Sequence, residues 1–300
     1  MLLTVFTPTY NRAYTLPKLY ESLCRQTCRD FSWLIINDGS TDGTEELLKS
    51  YIKENKIDIV YYKQENSGKH VAHNKAVEMC NTELFTCVDS DDWLVDDAIE
   101  TIIEKYNEEK DNNILGMFFR NIFPNGENIA TPYPEGLKYV GIEDLYHKYF
   151  YHGDTMIVFK TNSIKNYAFP VFENEKFVTE RVFYNLLNDL RPMVLFENQI
   201  KICEYLSDGL TNNFETLIEE NPYGITLDYL FESYYGINFF YRTKSYMHYY
   251  ENIKKLKLDK SEFVKFNHPP FIIKFLGVFS YFIKPLVLSL RKIKQICIKD

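Results

Sequence analysis

The sequence predicts an α/β fold with a mixed, mainly parallel sheet flanked by helices. Three observations lead there. Four short apolar runs lie within about 108 residues, each is followed by apolar residues at helical spacing, and each run breaks in a polar or glycine-bearing turn. Strands that are apolar almost throughout belong to a sheet covered on both faces, which parallel connections through helices provide. In order, residues 2–6 form the first run and break at Thr7-Pro8-Thr9, and Leu16, Leu19, Tyr20 and Leu23 then keep helical spacing. Residues 31–36 form the second run, which ends in Asn37-Asp38-Gly39 before a helix carrying Leu47, Leu48, Tyr51 and Ile52. The third, residues 57–62, leads through Asn66-Ser67-Gly68-Lys69-His70 to Val71, Ala72, Ala76 and Val77. The fourth, residues 84–88, ends in Asp89-Ser90-Asp91-Asp92 and precedes Ile99, Ile102, Ile103 and Tyr106. In such sheets ligands gather beyond the carboxyl ends of the strands. Residues 9–12, Asp38 and the acidic turn all fall on that edge.

Past residue 110 the pattern becomes mixed. Strands are expected at residues 114–119, 155–159 and 193–196, and a helix over 180–190 with Val182, Phe183, Leu186, Leu187 and Leu190 on its apolar side. Residues 1–210 read as one domain, with a nucleotide-binding half at 1–110 and a second-substrate half at 111–210. Residues 211–300 form a helical, aromatic-rich extension. Its stretch 271–290 is overwhelmingly apolar but interrupted by Lys274, Lys284 and Pro285, and Arg291, Lys292, Lys294 and Lys299 follow. Apolarity joined to positive charge fits an interfacial helix better than a spanning one, so peripheral membrane contact is expected through residues 265–300. A packed helix or a contact between copies of the chain is the other reading.

Composition narrows the function. A net charge of −8 argues against general nucleic-acid binding, which needs a basic footprint. Six scattered cysteines, at 24, 28, 80, 87, 203 and 297, form no CxxC and read as reduced thiols. The apolar start is too short and uncharged for a signal peptide and reads as the first strand, which points to a cytoplasmic protein. No GxGxxG follows the first strand and no GxxxxGK[ST] is present, which disfavours dinucleotide-dependent oxidoreductases and P-loop enzymes. The acidic turn leaves two readings open. Three carboxylates within four positions repel one another unless a cation compensates, and such oxygen donors suit Mg²⁺ or Mn²⁺ completed by substrate phosphates. Alternatively, the turn is solvated and Asp92 or Asp96 caps the next helix.

The runs TPTYNRAYTLPKLYESLCRQT, IINDGSTDGT, NSGKHVAHNKAV and VDSDD together resemble the family 2 glycosyltransferases, of GT-A fold, over about residues 3–210. The resemblance implies inverting transfer from a nucleotide-activated sugar, usually assisted by Mn²⁺ or Mg²⁺, in making capsule or other surface glycans. It places Thr7, Pro8, Tyr10 and Arg12 at the nucleotide and Asp38 at the uracil edge, implying a UDP-sugar donor. Lys69 is placed at nucleotide or diphosphate, where a plain surface lysine is the other reading. Asp91 is implied as the direct metal ligand, Asp89 at ribose or metal, Ser90 beside them at the donor, and Asp92 as an orienting or sugar-contacting acid. His70 and His73 lack ligand spacing by themselves, and His73 fits equally a core or capping position.

Two departures from the family pattern stand out. The acceptor hydroxyl needs a base, usually the Asp of a Glu-Asp pair, but this chain reads Glu173-Asn174-Glu175-Lys176-Phe177-Val178-Thr179-Glu180. Setting Tyr184 against the family's aromatic puts Glu180 at the base, with Glu175 the runner-up. The histidine that completes the metal shell in many relatives is missing, and Asp208 is the nearest group of comparable reach, where an ordinary turn is the more natural reading. These substitutions also fit a catalytically inactive relative that binds nucleotide or glycan. The acceptor implied is a glycan or lipid-linked oligosaccharide at the inner face of the cytoplasmic membrane, and a homo-oligomer is allowed.

Overall fold

A computed structural model describes residues 1–188, 190–204, 206 and 214–296, with side chains through residue 284 apart from that of residue 214. The chain divides into two compact units, Met1–Leu217 and the remainder from Ile218.

The first unit opens with four strand–helix pairs: β1 (Leu3–Thr9), α1 (Leu16–Cys24), β2 (Phe31–Asn37), α2 (Thr44–Glu54), β3 (Ile59–Lys63), α3 (Lys69–Met79) and β4 (Leu84–Cys87), then the short β5 (Trp93–Leu94) and α4 (Ala98–Glu109). There follow β6 (Gly116–Ile122), β7 (Tyr139–Val140), α5 (Asp144–His147), β8 (Thr155–Lys160), α6 (Thr161–Ile164), α7 (Glu180–Leu187) and β9 (Met193–Ile202). One sheet of order β3-β2-β1-β4-β8-β6-β9-β5 joins them, with β7 on β9. The pairs β3–β2, β2–β1, β1–β4 and β6–β9 are parallel, whereas β8 lies antiparallel between β4 and β6. Because β8 opposes both neighbours, β6 and β9 run in the same sense as β4. The carboxyl ends of both halves therefore meet at one edge.

Strand alternation sends side chains to two cores. Leu3 and Val5 of β1 join Trp33, Ile35, Leu16, Leu19, Ile99 and Ile102 under α1 and α4. Phe6 turns the other way and packs with Phe85 and His73. That second core is aromatic. The His73 ring lies 4.9–5.9 Å from the rings of Phe183, Phe169, Phe85 and Phe6, with edges presented to faces. His73 is thus a core residue, and burial lowers its imidazole pKa to about 4.

The second unit is helical, as expected from the aromatic-rich extension. It contains α9 (Pro222–Tyr235), α10 (Phe239–Lys255), a 3₁₀ turn (Lys260–Phe263) and α11 (Phe271–Ile296), preceded by α8 (Phe214–Glu220) at the division. Its core holds Leu227, Leu230, Phe231, Tyr249, Ile253, Phe263 and Ile273. No helix among the described residues is long and apolar enough to cross a membrane.

Candidate active site

The loops after β1 and β2 are tied into one wall by Asn11. This residue has a left-handed backbone (φ 53°), a conformation that asparagine tolerates better than most residues. Its side-chain oxygen accepts from the N–H groups of Thr41 (2.8 Å) and Asp42 (3.3 Å), and its own N–H donates to Ser40 Oγ (2.9 Å). Along this wall Tyr10 is exposed, Pro8 and Arg12 are half-buried, and Arg12 donates to the Tyr14 hydroxyl (2.6 Å). Thr7 lies deeper. Its hydroxyl donates to the Val88 carbonyl and accepts from Trp33 Nε1, both at 2.9 Å, and the whole residue is buried, so it supports the wall from behind.

Asp38, at the end of β2, is buried and organises the next turn. Its carboxylate accepts from Gln64 Nε2 (2.7 Å) and from the N–H groups of Ser67 (2.9 Å) and Gly68 (2.8 Å). Three of roughly four acceptor positions on a carboxylate are then filled. Gly68 enters α3 at φ 94°, and a Cβ there would lie 2.0 Å from the Lys176 carbonyl oxygen. Only glycine admits this approach of backbone to backbone. The segment that carries both candidate glutamates is thereby seated on the start of α3.

From that start, Lys69 reaches the acidic run. Its ammonium lies 2.7 Å from Asp89 and 2.8 Å from Glu180, the first residue of α7. Burial alone would lower the Lys69 pKa, but Asp89 and Glu180 together hold it well above the ordinary lysine value. Lys69 in turn holds the half-exposed Glu180 carboxyl below the usual range, outweighing its partial desolvation. Asp89 is likewise lowered: burial raises its pKa, and the Lys69 and Lys201 ammonium groups overcome this. Tyr184, one turn along α7, donates to Glu180 at 3.3 Å. Glu175 is buried in the turn that follows Phe172, where its N–H donates to the Phe172 carbonyl (3.3 Å).

Asp92 is directed elsewhere. It pairs with Lys201 of β9 at 2.9 Å and accepts from the Cys203 thiol at 3.3 Å, all three groups being buried. The backbone register makes this possible, because β5 lies antiparallel to β9 with Leu94 opposite Lys201. Neither Asp92 nor Asp96 caps α4: Asp97 stands at the cap position without a side-chain bond, and Asp96 pairs with Arg25. Ser90 is buried between the acids. Asp91 is the member of the run that no ion pair reaches among the described residues. Burial, then Asp89 and Asp92, push its pKa up to about 6. It borders a cavity of about 230 Å³ with Tyr14, Thr15, Lys18, Glu204 and Leu206, where Lys18 pairs with Glu204 at 2.8 Å and lies 3.5 Å over the Trp93 ring. Asp208 lies outside the described residues.

One sheet edge thus gathers Asp38, Lys69, Asp89, Asp91 and Glu180. The sequence profile of glycosyl transferase family 2 matches residues 4–167, more than half of the chain. The chain belongs to glycosyl transferase family 2. That match includes Asp38, Lys69 and Asp89 to Asp92 and ends before Glu175 and Glu180. Among relatives of the family, glycosyltransferase GlyA of Streptococcus pneumoniae is 34% identical over 117 residues, 39% of this chain and 17% of that protein. The teichuronic acid biosynthesis glycosyltransferase TuaG of Bacillus subtilis, so named provisionally, is 36% identical over 103 residues, 34% of this chain and 41% of that protein. The matched stretch therefore spans less than half of each of these relatives. The structure of S. aureus TarS 1-349 in complex with UDP-GlcNAc superposes with a TM-score of 0.60 at 16% identity, covering 87% of this chain and 74% of that one. At that identity the likeness establishes the fold, a GT-A-like α/β domain.

For a family 2 glycosyltransferase, Lys201, Cys203 and Gln64 are site neighbours that sequence reading missed. Asn11 was in view as part of the first loop, but nothing in its spacing shows that it ties two loops. Lys201 follows the exposed Glu197-Asn198-Gln199, which reads as a loop, so the expected strand stopped at residue 196 and its far end was lost.

Proposed function

We propose that this chain is an inverting, divalent-metal-dependent glycosyltransferase that moves a sugar from a UDP-sugar to a hydroxyl of a glycan or lipid-linked oligosaccharide. The observation that carries the reading is the Lys69 bridge, which joins the acid after β4 to the glutamate that opens α7. A donor carboxylate and a base are thereby within one lysine's reach. In this reading the wall of Pro8, Tyr10 and Arg12, with Thr7 buried behind it, holds the nucleoside. Asp38, through its remaining acceptor position, meets the base edge, and Ser90 and Asp89 meet the ribose side.

The residues present fit a divalent metal. Asp91 is a half-buried carboxylate with no cation paired to it and a raised pKa, so it gains from a hard cation in place of a proton. Asp91, with Asp89 second, would hold Mn²⁺ or Mg²⁺. Such an ion supplies charge neutralisation for a departing diphosphate. Asp92, neutralised by Lys201, fixes the turn that aims Asp91. Glu180, kept ionised by Lys69, accepts the proton of the acceptor hydroxyl as its oxygen attacks the anomeric carbon and the bond to the diphosphate breaks. A single displacement inverts that carbon. Lys69, drawn to the incoming phosphates, would leave Glu180 a stronger base than in the ligand-free ion pair. A lipid-linked acceptor places the enzyme at the inner face of the cytoplasmic membrane.

The test is release of nucleoside diphosphate from a panel of nucleotide-sugars with and without Mn²⁺. Metal-dependent release is expected from at least one UDP-sugar. Asp91→Asn and Glu180→Gln are each expected to lower it on the order of 10²-fold or more, with donor binding kept in the Glu180 variant. Binding of UDP without release from any donor would make the protein an inactive relative. Undiminished release by Glu180→Gln would remove Glu180 as the base.

A further inference from the structure

The helix α11 has two faces of opposite character. One packs on α10. Gly277 is buried so closely there that a Cβ would meet Tyr246 Cδ1 at 2.9 Å, the Tyr281 ring lies 5.4 Å from that of Tyr250, and Lys284 pairs with Glu251 at 2.7 Å. The other face carries Phe271, Ile272, Phe275, Phe279, Phe282 and Ile283, and every one is exposed. The four phenylalanines are 79%, 54%, 52% and 66% exposed in chain order. At 100° per residue these six positions fall within about a third of the helix circumference, forming one continuous stripe. A row of bare aromatic rings of this size marks a binding surface rather than ordinary scatter.

We infer that this stripe is a docking face for an anionic lipid bilayer, with α11 lying flat in the interface. The charge pattern chooses the occupant. Residues 271–296 contain five Lys or Arg and no Asp or Glu, within a chain whose net charge is −8. A two-fold contact between copies through this stripe would set two acid-free basic helices side by side. Anionic headgroups answer the positive charge, and the acyl boundary takes the phenylalanines. The described residues of this helix are not long and apolar enough to cross a membrane. The inference agrees with the proposed lipid-linked acceptor but does not depend on it, because binding is measured apart from transfer.

The experiment is flotation of the full chain with vesicles of phosphatidylglycerol and phosphatidylcholine, and with phosphatidylcholine alone. Partition into the anionic vesicles is expected, weakened by salt. The triple change Phe275→Ser, Phe279→Ser and Phe282→Ser is expected to weaken it about a hundredfold, since three rings lose their burial. UDP release from a soluble donor should be unaffected. As a variant that keeps the stripe apolar, Phe275→Trp should blue-shift its fluorescence on anionic vesicles. Equal partition by the triple-Ser protein, no blue shift, or a dimer in solution that the triple change dissociates would each overturn the inference.

Discussion

Removing the Lys201 ammonium would leave Asp92 buried with only the Cys203 thiol as partner. An uncompensated buried charge costs roughly 3–5 kcal/mol when one member of a buried pair is taken away. Lys201→Met is therefore expected to lower stability by about that amount in urea unfolding, and adding Asp92→Asn should recover part of it. Additive losses would show that the 2.9 Å pair contributes nothing as a pair. His73 supports a second expectation. Its folded pKa is about 4 against an ordinary value of 6.5, so below pH 6.5 the unfolded chain takes up a proton that the folded one refuses. Stability is unaffected by this group above pH 6.5 and falls as the pH drops towards 4. Between pH 7 and 5 the loss from this residue is roughly 2 kcal/mol. His73→Phe, which suits the aromatic cage, should flatten the slope in unfolding measured at the two pH values. At this scale legibility followed local crowding. Asp89 and Asp91 were visible because like charges at a strand end demand an explanation from sequence alone. The partners of Asp92 were invisible because they lie more than a hundred residues away in the chain, on a strand whose polar middle disguised it.

Among the elements, the turn between β3 and α3 carries the most constraint. Gly68 combines a positive φ with a 2.0 Å approach of the Lys176 carbonyl oxygen to any Cβ. Gly68→Ala must displace the segment before α7 or rebuild the turn, and is expected to cost about 2 kcal/mol or more in thermal unfolding. Because that segment positions Glu180, its rate with a UDP-sugar should fall further than its UDP affinity. A loss of affinity alone would mean that the turn serves only the donor. The four opening strand–helix pairs were readable because β1, β2 and β4 are buried almost throughout, the edge strand β3 is still apolar in sequence, and each helix follows a turn. The second half was less readable. The two-residue strands β5 and β7 are too short to show a period, and the bulged register between β6 and β9 breaks alternation around Arg120. The start of α7 was placed correctly because Val182, Phe183 and Leu187 bury one side, and this put Glu180 at the first turn, where the helix dipole favours a carboxylate.

At the scale of the whole chain, each unit has its own apolar core, and every residue assigned to donor, metal or base lies in the unit ending at Leu217. A unit with a closed core and its own sheet meets the physical condition for folding alone. The stripe on α11, by contrast, belongs wholly to the other unit. The two roles should then separate. A chain ended after Leu217 is expected to unfold cooperatively and to release UDP from the donor with Mn²⁺ within about tenfold of the full chain, since the carboxylates and Lys69 keep their neighbours. The same chain should not float with anionic vesicles. The comparison distinguishes two ways in which the extension could matter. If the shortened chain is folded by circular dichroism yet inert, the second unit contributes to catalysis and the assignment of the whole site to the first is wrong. If it turns over donor in solution but fails with acceptor presented on vesicles, the extension acts by holding the enzyme where its substrate is, raising the local concentration of acceptor rather than the rate of the chemical step.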